Sequence, residues 1–205
     1  MELGSVASAP VDASGRFTIN GVAPGRYMLS GNAGAGGRQG GPGALAGAGG
    51  GRAGATPGQA AAQWTLKSAV VGGRDTLDYT LEIGPNQDVS NAIVTFSDRT
   101  QELTGMIQDA TGRATSDFTI IVFPSDSRFW LPQARRILSS RPGTDGRFSF
   151  RNLPAGDYRL TAVTDVEPGE WYDPAFLAQL QQVSIPVAIA EGEKKVQDIR
   201  LAGGH

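Results

Sequence analysis

The sequence contains the same fifteen-residue pattern twice, once near its start and once past its middle. Residues 15–29 read GRFTINGVAPGRYML, and residues 146–160 read GRFSFRNLPAGDYRL. In each copy, two short stretches of alternating apolar and polar residues flank a turn rich in Asn, Gly and Pro, which is the pattern of a β-hairpin. Because the period, the turn position and the aromatic residues all agree, the repeat predicts two copies of one domain.

Further short apolar stretches surround the two hairpins and are separated by turn residues. They lie at residues 64–71, 79–83, 92–96, 103–108, 118–123, 184–190 and 196–201. Many short strands at close spacing are typical of β-sandwiches. Only residues 174–182 have the pattern of a short helix. The sequence therefore predicts an all-β chain built as two tandem β-sandwich domains.

We place the two predicted domains at residues 1–99 and 100–205. The first contains a glycine- and alanine-rich insert at 31–58, in which 13 of the 28 residues are Gly. Such a composition supplies almost no large apolar side chain and cannot build a core of its own, so a surface loop is expected there.

The first domain also differs from the second on its N-terminal side. Two predicted strands, at 103–108 and 118–123, precede the second hairpin, whereas residues 1–14 contain no comparable pair. The first sandwich is therefore expected to be incomplete at its N-terminus. An open sheet edge exposes unpaired backbone groups and apolar side chains. The missing strands can precede this sequence in a longer protein, a second chain can supply a strand, or the glycine-rich segment can fold back over the gap. We favour the first as the origin of the sequence and expect self-association at this edge as its consequence.

Composition and charge argue against several classes of partner. The net charge is −2 and the pI about 5.4, which gives no reason to expect nucleic acid as a partner. No apolar run approaches the length of a membrane helix, so membrane insertion by this segment is not expected. The first ten residues, MELGSVASAP, lack the basic flank and apolar stretch of a signal peptide.

Groups that carry catalysis are scarce in this chain. It contains no cysteine, and its single histidine is the last residue, His205. Thiolate chemistry, a Ser-His-Asp arrangement and a histidine metal site therefore cannot be built from one chain. Its aspartates stand mostly in turns, where they bond to the backbone. We expect no catalytic residues, no metal site, no cofactor and no enzymatic activity.

Aromatic side chains in predicted loops are the best candidates for binding. Trp130 stands close to several arginines, and Trp171 and Tyr172 lie in the Pro- and Gly-containing stretch EPGEWYDP. If these three side chains are exposed, they suit a sugar or a protein partner. The alternative is that they cover the open ends of the sandwich. Both interpretations fit the sequence.

The second half resembles the carboxypeptidase regulatory-like domain. The resemblance rests on the segments Leu103-Thr-Gly, Asp109, Gly112, Phe123-Pro124, Asp145-Gly-Arg-Phe148 and Leu153-Pro-Ala-Gly-Asp-Tyr158. It covers residues 100–202 well and residues 12–99 from the hairpin onward, with the glycine-rich insert as a departure. The resemblance implies a transthyretin-like, or prealbumin-like, β-sandwich, close to the B-type repeats of bacterial surface proteins.

This resemblance also implies a function and a location. Bacterial proteins with this domain in tandem are typically secreted or attached to the cell envelope, and the domain has no catalytic residues of its own. The expected function is a non-enzymatic structural or adhesive module of a larger extracytoplasmic protein, which associates with itself or with neighbouring domains. The alternative is a carbohydrate-binding module that holds a polysaccharide through Trp130, Trp171 or Tyr172.

Overall fold

The computed structural model describes residues 7–32 and 64–201, and within them the chain is almost entirely β. The first five strands are β1 (Gly25–Tyr27), β2 (Thr65–Val71), β3 (Arg74–Asp75), β4 (Leu81–Ile83) and β5 (Ile93–Ser97). The remaining strands are β6 (Glu102–Gln108), β7 (Thr119–Pro124), β8 (Leu138–Ser140), β9 (Arg147–Arg151), β10 (Gly156–Val163), β11 (Ile185–Ile189), β12 (Lys194–Val196) and β13 (Ile199–Arg200). One helix, α1, spans Pro174–Val183. The all-β prediction is confirmed.

The chain divides into two compact units. Of the described residues, 7–30 and 68–94 belong to unit 1, and 31–32, 64–67 and 95–201 belong to unit 2. The predicted domain boundary between residues 99 and 100 stays a prediction. Nearly all of the glycine-rich insert predicted at 31–58, and also His205, lie outside the described residues.

Unit 2 is a sandwich of two sheets. One sheet is antiparallel and has the order β11-β10-β7-β8. In the other, β6 pairs with antiparallel β9 along one edge and with parallel β12 and β13 along the other. Apolar side chains of both sheets form the core between them, namely Leu103, Ile107, Ile120, Val122, Phe148, Phe150, Leu153, Tyr158, Leu160, Val187, Ile189 and Ile199. The alternation predicted for these strands therefore marks their inward faces.

Strand β7 is buried on both of its faces. Its residues Ile120 and Val122 point into the sandwich, whereas Ile121 and Phe123 belong to a second apolar cluster on the outer face of the same sheet. Leu177 and Leu180 of α1 cover this outer face. The continuous apolar run of β7 reflects this double burial, because a strand with only one buried face alternates.

The short helix α1 begins where its sequence predicts. Asp173 is the N-cap, and its Oδ1 accepts a hydrogen bond from the backbone N–H of Ala175 at 2.8 Å. Pro174 occupies the first helical position, where a missing N–H has no cost. The helix found at Pro174–Val183 agrees with the one predicted at 174–182.

Unit 1 has much less regular structure than unit 2. Its β1 and β4 pair antiparallel, and Arg26 forms an exposed ion pair with Glu82 across them at 2.9 Å. A further sheet has the order β3-β2-β5, with Gly72 and Gly73 in the turn that connects β2 to β3. Only residues 68–71 of β2, the whole of β3 and residues 93–94 of β5 belong to unit 1.

The first strand of the repeated hairpin was predicted wrongly in unit 1. Residues 16–20 form no strand ladder, and Phe17 and Ile19 are only partly buried. Tyr27 and Leu29 are also only partly buried. The physical reason is that alternation makes a segment suitable for a sheet, but a neighbouring strand must be present to complete the ladder.

One kind of tight turn occurs in both units with nearly the same sequence, Asp-Ala-Ser-Gly-Arg at 12–16 and Asp-Ala-Thr-Gly-Arg at 109–113. In each, the backbone N–H of the aspartate donates to the carbonyl of the arginine at 2.8 Å. The aspartate Oδ1 accepts from the backbone N–H two residues on at 2.8 Å and four residues on at 2.9 Å. The carboxylate thus closes the turn by satisfying backbone donors.

These turns predict a contribution to stability that depends on pH. Hydrogen bonds from the Thr111 hydroxyl and then from the Arg113 backbone hold the pKa of Asp109 below its ordinary value of 3.8. Because the pKa is lower in the folded state, the stabilisation is present above the unfolded pKa and is lost as the pH falls through the folded pKa. In the variant Asp109→Asn, the side chain keeps an acceptor oxygen but cannot titrate. The free energy of unfolding of this variant, measured with urea, should therefore depend less on pH below about 4 than that of the parent protein. Parallel acid profiles for the two proteins would contradict this account.

Candidate interaction surface

Trp130 lies in the core of unit 2. Its side chain is 7 % exposed, and its indole Nε1 donates to the carbonyl of Pro124 at 2.8 Å. The indole ring packs edge-on against Phe123, with 5.9 Å between ring centroids. The interpretation of Trp130 as an exposed binding residue is therefore corrected, because an indole whose ring and N–H are both satisfied inside the protein presents little surface to a ligand.

Trp171 and Tyr172 are partly buried and pack against the apolar cluster beneath α1. Their ring centroids are 6.2 Å apart and their planes are inclined by 54°. The two rings therefore do not form a flat platform, which is the arrangement that sugar binding would favour. Ligand binding by these residues stays a prediction, and a polysaccharide partner gains no support from this geometry.

Unit 1 contains a segment of alternating apolar and polar residues that is not part of a strand, Arg16–Asn20, called here the open edge. Phe17 and Ile19 alternate with exposed Arg16, Thr18 and Asn20, so one face is apolar and the other polar. Within residues 7–32 and 64–201, no strand is paired with this segment. The alternation therefore suits a sheet that the described residues do not complete.

Three large apolar side chains of unit 1 are unusually exposed. Val11, Met28 and Ile93 expose 61 %, 65 % and 62 % of their surface. Among the described residues of unit 1, Ala69 is the single apolar side chain that is buried. Unit 1 thus holds apolar residues that its own described structure leaves in water, which is the property of a surface that binds another polypeptide.

Two kinds of site were also sought in the described part of the chain. No group of three or more acidic or histidine side chains there is placed to hold a metal ion. No helix there has the length and apolar character needed to span a bilayer. The expected lack of a metal site stays a prediction.

Sequence reasoning missed that the aspartate turn occurs in both units. The repeated string Asp-Ala-[Ser/Thr]-Gly-Arg was the available signal, since a side chain that bonds the backbone two and four residues ahead specifies a turn locally. The repeat places such a turn directly before the open edge, at Asp12–Arg16. The turn therefore fixes where the open edge begins.

Comparisons with known proteins give a mixed set of structural neighbours. No protein-family model matches the chain, and no curated protein matches it. Among solved structures, a Streptococcal ancillary pilin is 14 % identical to this chain, with a TM-score of 0.35. The alignment covers 67 % of this chain and 44 % of the pilin chain. The major pilin subunit BcpA of Bacillus cereus is 13 % identical to this chain, with a TM-score of 0.33. That alignment covers 62 % of this chain and 34 % of the BcpA chain.

An enzyme is also among the neighbours. Catechol 1,2-dioxygenase from Acinetobacter is 13 % identical to this chain, with a TM-score of 0.31. The alignment covers 50 % of this chain and 52 % of the dioxygenase chain. The chain thus spans about half or less of the length of these three proteins. At such scores the likeness carries no argument about function, and the family resemblance stated from the sequence stays a proposal.

The prediction that this chain is not an enzyme is corrected. It was based on the scarcity of catalytic side chains and on the resemblance to a domain without catalytic residues. The neighbours instead include a dioxygenase beside the pilins. The exclusion of enzymatic activity is therefore withdrawn, and no activity is assigned in its place.

Proposed function

We propose that this chain is a structural or adhesive β-sandwich module of a larger extracytoplasmic protein, and that it associates through unit 1 with copies of itself or with neighbouring domains. The observation that carries the proposal is the contrast between the two units. Unit 2 encloses an apolar core between two sheets, whereas unit 1 exposes Met28 and Ile93 and also contains an edge with no strand partner among the described residues. Burial of this surface supplies the driving force for association.

The wider setting is proposed from the resemblance to carboxypeptidase regulatory-like domains. Domains of that family occur in tandem in secreted and envelope-associated bacterial proteins, where they act as structural or adhesive modules. The same tandem arrangement is expected here from the repeated hairpin. An extracytoplasmic location is part of this proposal.

Light scattering during size exclusion tests the association. The mass per particle is expected to rise above that of the 21.4 kDa chain as the concentration increases from micromolar to millimolar. Ile93→Lys places a charge on the exposed surface of unit 1 and should shift this rise to higher concentration. Val183→Lys is the matched control, because Val183 is 75 % exposed on α1 of unit 2.

Two results would contradict the proposal. One is a constant monomer mass across the whole concentration range. The other is an equal loss of association in Ile93→Lys and Val183→Lys, since that would show a general effect of charge rather than a surface on unit 1.

A further inference from the structure

We propose that the open edge, Arg16–Asn20, accepts an extended strand from a protein partner, and that this strand resembles β6 in carrying a glycine that faces Phe17. The inference rests on the proposed function and names the chemistry of what associates. Unit 2 contains the strand that covers the corresponding segment of its own hairpin.

The turns before the two segments have the same backbone hydrogen bonds. Gly15 donates to the carbonyl of Asp12 at 3.0 Å, and Asp12 donates to that of Arg16 at 2.8 Å. In unit 2, Gly146 donates to the carbonyl of Gly143 at 2.8 Å, and Gly143 donates to that of Arg147 at 2.9 Å. Residues 12–16 and 143–147 are therefore equivalent.

The strands after the two segments are also equivalent. The Tyr27 hydroxyl donates to the carbonyl of Ala23, and the Tyr158 hydroxyl donates to that of Pro154, both across four residues and both at 2.6 Å. Each hairpin then pairs with a later strand in the same register. In unit 1 the pairs are Gly25↔Ile83 and Tyr27↔Leu81. In unit 2 they are Gly156↔Ile189 and Tyr158↔Val187.

The turns beyond these partner strands agree as well. The backbone N–H of Gly84 donates to Oε1 of Gln87 at 2.7 Å, and that of Ala190 donates to Oε2 of Glu193 at 2.7 Å. Leu81 follows Tyr27 by 54 positions, whereas Val187 follows Tyr158 by 29, so the first copy carries 25 additional residues between equivalent points. The open edge is therefore bounded on both sides by structure that unit 2 repeats.

In unit 2, the segment between these equivalent points is β9, and β6 covers it. The register is Leu103↔Phe150 and Gly105↔Phe148, and the N–H of Ile107 donates to the carbonyl of Gly146 at 2.9 Å. Under this cover Phe148 and Phe150 are buried, whereas their counterparts Phe17 and Ile19 are only partly buried. A strand at the position of β6 would complete the ladder and the burial in unit 1.

The geometry of β6 specifies what this strand must contain. A Cβ atom at Gly105 would overlap the carbonyl oxygen of Gln197 and would lie 2.6 Å from Cζ of Phe148, so the aromatic ring lies across the glycine. Because Phe17 is the counterpart of Phe148, the incoming strand needs glycine at the facing position. Its apolar residues stand two positions away on either side, as Leu103 and Ile107 do in β6, since side chains alternate along a strand.

A synthetic peptide with the sequence of residues 101–109, QELTGMIQD, is the probe. When it is added to the full chain, backbone amide NMR signals should shift at residues 15–20 and 25–27 and should saturate at one peptide per chain. The control peptide has Gly105→Val, whose side chain meets the Phe17 ring. It should bind at least about tenfold more weakly, because overpacking an aromatic contact is destabilising.

Variants of the chain provide a second comparison. Phe17→Ser should weaken peptide binding, whereas Thr18→Ser, on the opposite face, should leave it unchanged. The NMR signals of unit 2 report whether each variant folds. Since the control peptide leaves the protein unaltered, the comparison between peptides holds even where Phe17→Ser disturbs unit 1.

Several outcomes would overturn the strand inference while leaving the proposed association intact. Equal binding of the two peptides, or shifts confined to residues 147–151, would show that the open edge is not the acceptor. Protection of the amides of 16–20 in a dilute peptide-free monomer would show that the chain covers the edge itself. Two other outcomes would support the acceptor edge. Displacement of a dimer by the peptide would show that a second copy occupies it, whereas a chain that stays monomeric yet binds the peptide would contradict self-association.

Discussion

Phe148→Ala should lower the free energy of unfolding of unit 2 by about 3–5 kcal/mol, the range expected when a buried phenylalanine is truncated. Phe148 is 4 % exposed within the sandwich core, and its ring lies 6.0 Å from that of Phe150. The truncation removes apolar burial and leaves a cavity between two sheets that are held by their ladders. Urea unfolding followed by circular dichroism would measure the change.

The repeat provides the matched control for this experiment. Phe17 occupies the equivalent position in unit 1 but is only partly buried. Its truncation to alanine should cost less than about 2 kcal/mol, because much of the ring is in water before the change. Equal losses for the two substitutions would show that Phe17 lies in a closed core and would contradict the open edge.

Gly105→Ala should destabilise unit 2 by about 3 kcal/mol or more, although it adds a single methyl group. An added Cβ would overlap the carbonyl oxygen of Gln197 and would lie 2.6 Å from Cζ of Phe148. The backbone has little room to move away, because Gln197 donates to the carbonyl of Thr104 at 2.8 Å and Asp198 Oδ1 accepts from the N–H of Met106 at 2.9 Å. These hydrogen bonds hold the two residues between β12 and β13 against β6.

Gly25→Ala serves as the control for this substitution. A Cβ atom at Gly25 would meet its nearest neighbour, the ring of Tyr27, at 3.4 Å, which is ordinary contact. Its cost should stay below about 1 kcal/mol. The two variants can be compared by thermal unfolding, and equal melting temperatures would contradict the close approach of Gln197 to Gly105.

Most strands of unit 2 could be predicted from the sequence, because local patterns and long-range packing agree there. The alternation of Phe148 and Phe150 predicts a half-buried strand, and β6 supplies the partner. The same alternation at Phe17 and Ile19 predicts the same strand in unit 1, yet no ladder forms among the described residues. Periodicity reports which face a segment can bury, whereas a ladder depends on a second segment that periodicity does not identify.

The aromatic candidates show a second limit of sequence reasoning. Trp130 stands near arginines in a loop, and this setting suggested exposure. Its burial depends on Phe123 of β7 and on the helix that covers the same face, contacts between residues far apart along the chain. The apolar run of β7 was the available signal, since a strand buried on both faces requires a covering layer.

The central claim is that association closes the open edge of unit 1, and residue-resolved amide hydrogen exchange tests it most directly. In a dilute solution of the monomer, the amides of Phe17 and Ile19 should exchange rapidly, while those of Phe148 and Phe150 should be protected to nearly the stability of unit 2. At concentrations where light scattering detects larger particles, protection should appear at Phe17 and Ile19. Equal protection of both segments in the dilute monomer, unchanged by concentration, would contradict the account.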